Sequence, residues 1–154
     1  MLRKAVAVAI VVIAALVAAG ALLYARNTTP VVPSIATADA AIAGSPWVVK
    51  LHAQWCPVCM LTKGIWSEIE HSYAGRVRLA VFDFTNETTT AASGAEAERL
   101  GLAEVFEEAG FATGPILVLD GRTKNVVAWI NGSRDFADYR AAIDSALAAA
   151  EHQR

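Results

Sequence analysis

The hydrophobic pattern opens with an unbroken block. Residues 5–25 read AVAVAIVVIAALVAAGALLYA, and only Gly20 falls outside the hydrophobic set. As a helix this run is roughly 31 Å long, about one hydrocarbon core, and it predicts one N-terminal transmembrane helix. Arg3 and Lys4 precede it and Arg26 follows it, so the positive-inside rule puts the N-terminus in the cytoplasm and the rest of the chain outside. A cleaved signal peptide has the same polarity, with Ala19-Gly20-Ala21 as an A-x-A type site. Against cleavage, the apolar run continues through Leu22, Leu23 and Tyr24, longer than a usual h-region. The expected organisation is an anchor or signal over 1–26, a Pro-, Thr-, Ala- and Ser-rich linker over 27–45, and one domain over 46–154.

Within that domain the apolar period alternates between two and roughly 3.6. Trp47–Ala53 predicts a strand, with Val49, Leu51 and Ala53 on one face and Val48, Lys50 and His52 on the other. Met60–Tyr73 places Leu61, Ile65, Ile69 and Tyr73 at helical spacing, with Trp66 beside them and Gly75 as a stop. Val77–Phe84 is a second strand, which completes a βαβ unit with parallel strands. A polar loop follows, then Ala95–Ala109 as one helix or two, broken near Gly101. Ile116–Asp120 and Val126–Ile130 are strands joined by a short loop, hence an antiparallel hairpin. A last helix starts after Ser133 or Asp135 and turns Phe136, Tyr139, Ile143 and Leu147 inward. This order predicts an α/β domain with a mixed four- to five-stranded sheet and helices on both faces.

Composition narrows the function. Roughly 110–125 residues beyond the apolar block suffice for one core without a metal or disulfide. Multi-domain enzymes, coiled coils and disordered chains are excluded. Setting aside Arg3, Lys4 and Arg26 leaves ten bases against fifteen acids in the exported part. That balance repels nucleic acid. Glu87, Glu96, Glu98, Glu104, Glu107 and Glu108 share one stretch whose only base is Arg99; they form a solvated helix face or, failing that, an electrostatic docking surface.

One constellation carries chemistry: Trp55-Cys56-Pro57-Val58-Cys59, between the first strand and the first long helix. At a helix N-terminus the Cys56 sulfur meets unpaired backbone N–H groups and the positive end of the helix dipole, both of which favour the thiolate, the attacking species. Cys59 lies one turn on, close enough to displace whatever Cys56 captures, so the pair makes a reversible dithiol. Pro57 lacks an N–H but suits a first helical turn. Delivery outside the cytoplasm would allow the two sulfurs to exist as a disulfide.

The motif in its βαβ setting resembles the thioredoxin superfamily over roughly residues 46–150. Ala53-Gln54-Trp55-Cys56 matches that family's A-x-W-C approach. Gly75 falls where its first long helix ends, and Gly110 to Pro115 followed by Ile116–Leu119 looks like its Gly-hydrophobe-x-x-x-Pro entry to a strand. Gly132 matches the glycine before its final helix. The resemblance implies a thioredoxin fold, a cis Pro115 beside the dithiol, and substrate docking as an added strand on Thr113, Gly114 and Pro115. Asp83-Phe84-Thr85-Asn86 and the acidic segment after it are similar to the C-terminal domain of transmembrane disulfide reductases, with an insertion of about fifteen residues over a minimal thioredoxin near Glu87–Glu98. The implied activity is thiol–disulfide oxidoreductase, with no cofactor beyond the redox-active Cys56–Cys59 disulfide. The implied partners are protein thiols or disulfides and an upstream redox partner. The implied location is the inner membrane, single-pass, with the domain facing the periplasm or cell exterior.

Three positions depart from the family pattern. Lys50 stands where a buried Asp often serves as proton acceptor, Lys63 where some reductive members carry Glu, and Gly64 where a helix-kinking Pro is usual. A buried Lys needs a partner, and Asp83 on the neighbouring strand is the expected one. Positive charge at Lys50 or His52 is then expected to favour the Cys56 thiolate. His52 has two further roles open to it: base for Cys59, or a packed, hydrogen-bonded histidine. A different class of function, copper binding or metal delivery, would use His52, Cys56 and Cys59 as ligands; no second CxxC exists for a closed zinc site. An inert Cys56–Cys59 disulfide gains little from closing so short a loop. Trp55 is expected to cap the active-site surface, whereas Trp47, Trp66, Trp129, Phe82, Phe84, Phe106, Phe111 and Phe136 are expected in the core.

Overall fold

The computed structural model describes residues 44–152, so the apolar block and most of the linker lie outside the described residues. Nine elements follow in order: β1 (Trp47–His52), α1 (Pro57–Leu61), α2 (Lys63–Ser72), β2 (Arg78–Asp83), α3 (Glu87–Leu100), α4 (Ala103–Ala109), β3 (Pro115–Leu119), β4 (Val126–Asn131) and α5 (Phe136–His152). The sheet has four strands in the order β2-β1-β3-β4. β1 and β2 are parallel, with Lys50 opposite Val81 and His52 opposite Asp83. β1–β3 and β3–β4 are antiparallel. The βαβ unit and the hairpin therefore stand as the alternating pattern implies. Among the described residues no helix is long and apolar enough to cross a membrane.

β1 lies inside the sheet and is covered on both faces, which explains its almost unbroken apolar run. On one face Trp47, Val49 and Leu51 pack with Phe82, Leu117 and Leu119 against Ala97, Leu102 and Val105. On the other, Val48, Ile116 and Val118 pack against Ile65, Trp66 and Ile69 of α2 and Tyr139 and Ile143 of α5. Two of the expected core aromatics are exposed instead: Phe111 at 80 % and Trp129 at 50 %. Trp129 sits on the edge strand β4, whose Ala128 and Ile130 face the α2/α5 side; its own side reaches past the cover of α3 and α4. Phe111 lies in the loop before β3, its ring T-shaped to that of Phe84 with 6.1 Å between centroids.

Helix α3 begins well before the Ala95 start that the apolar spacing marks. Asn86 caps it: its side chain accepts from Thr89 N–H at 3.0 Å, while the Thr89 hydroxyl accepts from Asn86 N–H at 3.1 Å. Those reciprocal bonds satisfy two donors of the first turn and let a Thr-rich segment of modest helix propensity hold the helical form. The segment read as an inserted polar loop is thus mainly helix, ending at Gly101 with φ +66°.

At the far end of the sheet Arg78 ties the chain entry to the hairpin. Its guanidinium donates to Ser45 O at 2.8 Å and Gly121 O at 2.6 Å, and lies 4.5 Å over the Trp47 ring.

Candidate active site

The site is built where β1 ends and α1 begins. Cys56 is the N-cap of α1, with extended backbone and Pro57 following in the first turn. Cys59 N–H donates to Cys56 Sγ at 3.2 Å, so the sulfur fills the role that a Ser or Asp oxygen plays at other N-caps. The Cys59 thiol donates to Leu51 O at 3.6 Å. Both cysteines are free thiols and both are buried, Cys56 to 3 % exposure.

The long helix expected after the dithiol has a hitch at Thr62. Its hydroxyl donates to Val58 O at 2.9 Å, beside the backbone N–H that bonds the same oxygen at 3.0 Å. This back-bonding divides α1 from α2 without parting them, and Trp66 N–H still bonds Thr62 O.

The two sulfurs are driven in opposite directions. Burial pushes the Cys56 thiol up, but hydrogen bonds from Cys59, Thr113 and the backbone N–H groups of Cys59 and Val58 outweigh it, and its pKa falls below the ordinary value. Burial and the adjacent Cys56 push Cys59 up to about 11, with Ala53 N–H and Lys50 opposing. The result is one sulfur shifted toward the thiolate and one held as thiol, the division of labour that a capture-and-release dithiol requires.

Trp55 is 60 % exposed beside the dithiol, as expected for a surface cap. Its indole N–H donates to Thr85 O at 3.1 Å, and Gln54 N–H donates to the Thr85 hydroxyl at 2.9 Å. Thr85 thus holds the approach to Cys56, and Asp83 in turn holds Thr85 by accepting from its N–H at 2.8 Å. The sequence names Thr85 only as part of Asp83-Phe84-Thr85-Asn86 and assigns it no role at the site. The signal was present in Asp83-x-Thr85, where a carboxylate at a strand end bonds the backbone two residues on.

That arrangement corrects the Lys50–Asp83 expectation. Asp83 terminates β2 and spends its carboxylate on Thr85, while register sets Lys50 opposite Val81. Lys50, 7 % exposed, instead carries its ammonium 5.6 Å over the Trp66 ring. Burial lowers its pKa, and Cys59, Glu70 and Cys56 oppose that, in that order. Burial and then Lys50 lower the pKa of His52, with Asp83 opposing, and its Nδ1 is buried without a hydrogen-bond partner. Among the described residues no three His, Cys, Asp or Glu side chains gather to hold a metal ion, so His52, Cys56 and Cys59 do not form the copper triad.

Pro115 opens β3 as expected, but all described peptide bonds are trans. The cis bond implied by the family resemblance is therefore absent at Pro115, and Gly114 before it has φ +111°. Gly114 N–H donates to Leu51 O at 2.8 Å, the same oxygen that receives the Cys59 thiol. A Cβ on Gly114 would lie 2.9 Å from Val58 Cγ1, so the loop rests directly on the variable pair of the CxxC motif.

The family model described as Thioredoxin matches residues 34–96, which span β1, the dithiol, β2 and part of α3. Over that stretch the chain is similar to thioredoxin. No curated protein matches. Among solved structures, the chain is similar to Trxlp from Edwardsiella tarda EIB202, at 15 % identity and a TM-score of 0.44, covering 67 % of this chain and 86 % of that one. It is also similar to a malarial protein at 17 % identity and a TM-score of 0.44, covering 67 % and 98 %.

Proposed function

We propose that this thioredoxin-like domain is a thiol–disulfide oxidoreductase that exchanges disulfides with partner proteins on the extracytoplasmic side of a membrane. Cys56 is the nucleophile and Cys59 the resolving thiol. The observation that carries this is the Cys56 sulfur seated as N-cap and accepting from Cys59 N–H at 3.2 Å, with Thr113 adding to its hydrogen bonds. In one turnover the Cys56 thiolate attacks a substrate disulfide, and one substrate sulfur leaves as thiolate. Cys59 then loses its proton, bonds Cys56 Sγ and expels the second substrate sulfur, so substrate gains two electrons and the dithiol becomes a disulfide. The reverse sequence oxidises substrate.

A polypeptide partner is supported by the exposed apolar side chains of Trp55, Met60, Leu61 and Phe111. Thr113, Gly114 and Pro115 are the proposed docking segment for its backbone. The apolar block at 5–25 supports tethering in the inner membrane.

The test is a Cys59→Ser variant, which should trap partner proteins as mixed disulfides that dithiothreitol releases, while Cys56→Ser traps none. Equilibration with glutathione then fixes direction: about −270 mV marks a reductant and about −120 mV an oxidant. Equal alkylation rates for Cys56 and Cys59 at pH 7 would defeat the assignment.

A further inference from the structure

Lys50 is the one charged residue of the buried strand β1, and no carboxylate lies within salt-bridge reach of it among the described residues. A buried cation without a counter-anion is costly. The charged and titratable groups around it are few. α1 offers Cys56 and Cys59, α2 offers Glu70 and Lys63, and β1 offers His52 with Asp83 of β2 behind it; β3 has none. Glu70 is engaged elsewhere, accepting from the Trp66 indole N–H at 2.8 Å, and that ring stands beneath the Lys50 ammonium. Asp83 is taken by Thr85. The resolving thiol remains: Cys59 is held by the carbonyl of Leu51, the residue next to Lys50.

We propose that Lys50 is the built-in counter-cation of the Cys59 thiolate and acts in the resolving step rather than in the capture step. The inference rests on the oxidoreductase function above and assigns this side chain a place within it. In the dithiol state Cys56 suppresses ionisation of Cys59 through its hydrogen bond and its charge. Once Cys56 is locked in a mixed disulfide, both of those influences are gone, and Lys50 acts against burial alone. The ammonium keeps its own protons throughout. The Cys59 proton leaves to water, the Cys59–Cys56 S–S bond forms, the Cys56–substrate S–S bond breaks, and the departing sulfur carries off the electron pair.

Dithiobis-nitrobenzoate separates the two steps, since capture by Cys56 releases one coloured nitrothiobenzoate and resolution by Cys59 releases the second. Lys50→Met should slow the second release about tenfold at each pH below the Cys59 pKa, the effect of removing one neighbouring opposite charge. Capture measured in a Cys59→Ser background should change less than about threefold, since Cys56 is the weaker of the two influences on Lys50. Lys50→Arg, which keeps the charge, should resolve at near the parental rate. A purely structural role would slow both steps alike and would not be rescued by Arg. Equal second-step rates in Lys50 and Lys50→Met proteins overturn the proposal, as does a loss confined to capture. Failure of the parental protein to release a second nitrothiobenzoate overturns the oxidoreductase assignment itself.

Discussion

Replacing Gly114 by alanine strikes the point where the loop before Pro115, the dithiol helix and the end of β4 meet. The added methyl would sit 2.9 Å from Val58 Cγ1, 3.0 Å from Val58 Cβ and 3.2 Å from Asn131 Oδ1. A new rotamer of Val58 relieves the first contact and leaves the second, because Val58 Cβ is fixed to the backbone of α1. The φ of +111° adds strain that any L-residue would bear, about 1–3 kcal/mol. Overlap in a packed site adds about 1–3 kcal/mol, so partial relaxation leaves an expected loss of about 2–4 kcal/mol. For a domain near one hundred residues that lowers Tm by about 8–25 °C. Urea unfolding of the reduced protein, followed by tryptophan fluorescence, reads the loss directly. Val58→Ala in the Gly114→Ala background should return about 1 kcal/mol, the share due to Cγ1, and not the strain. A Gly114→Ala protein within about 0.5 kcal/mol of the parent would refute the reasoning.

Three further outcomes are expected. Arg78→Ala strips charged donors from Ser45 O and Gly121 O and should cost about 2–4 kcal/mol in urea unfolding. Asn86→Ala removes the cap of α3 and should cost about 1 kcal/mol, read in the same experiment, with Asn86→Ser nearly neutral. The stability of the dithiol form should depend on pH in two directions. The folded pKa of Cys56 is lowered, so its contribution is present above the unfolded thiol pKa and is lost as pH falls through the folded value; that of Cys59, raised from 9.0 to about 11, is present below 9.0 and lost between the two. Unfolding from pH 6 to 11 (roughly the span over which the thiols titrate) should therefore show a maximum, which the disulfide form should lack. Tyr73→Phe is the control at the alkaline end, since Tyr73 is itself raised to about 12.

Period and punctuation carried most of the fold. The unbroken run of β1, the helical spacing of Ile65 and Ile69, and the short Gly121–Asn125 connection each report burial or reversal, which are local properties of the chain. The dithiol was legible for the same reason, since Cys56 and Cys59 act across a single turn. What escaped the sequence depends on where side chains point across the sheet. Asp83 and Lys50 lie on neighbouring strands in pattern, yet Asp83 turns its carboxylate to Thr85, two residues on, and no periodicity encodes that choice. The start of α3 was hidden because its signal is one capping box rather than an apolar stripe. Trp129 escaped because a strand pattern does not say which face of an edge strand its helices leave bare.

Arg78 gathers Ser45 to the end of the sheet where β1 starts, and Cys56 lies just past the end where β1 finishes. Six strand residues separate those ends, a span of about 20 Å. The chain therefore enters the sheet at one pole and carries its dithiol at the other. Ser45 and Cys56 thus stand at opposite ends of one strand, and contacts made at the first leave the second unencumbered.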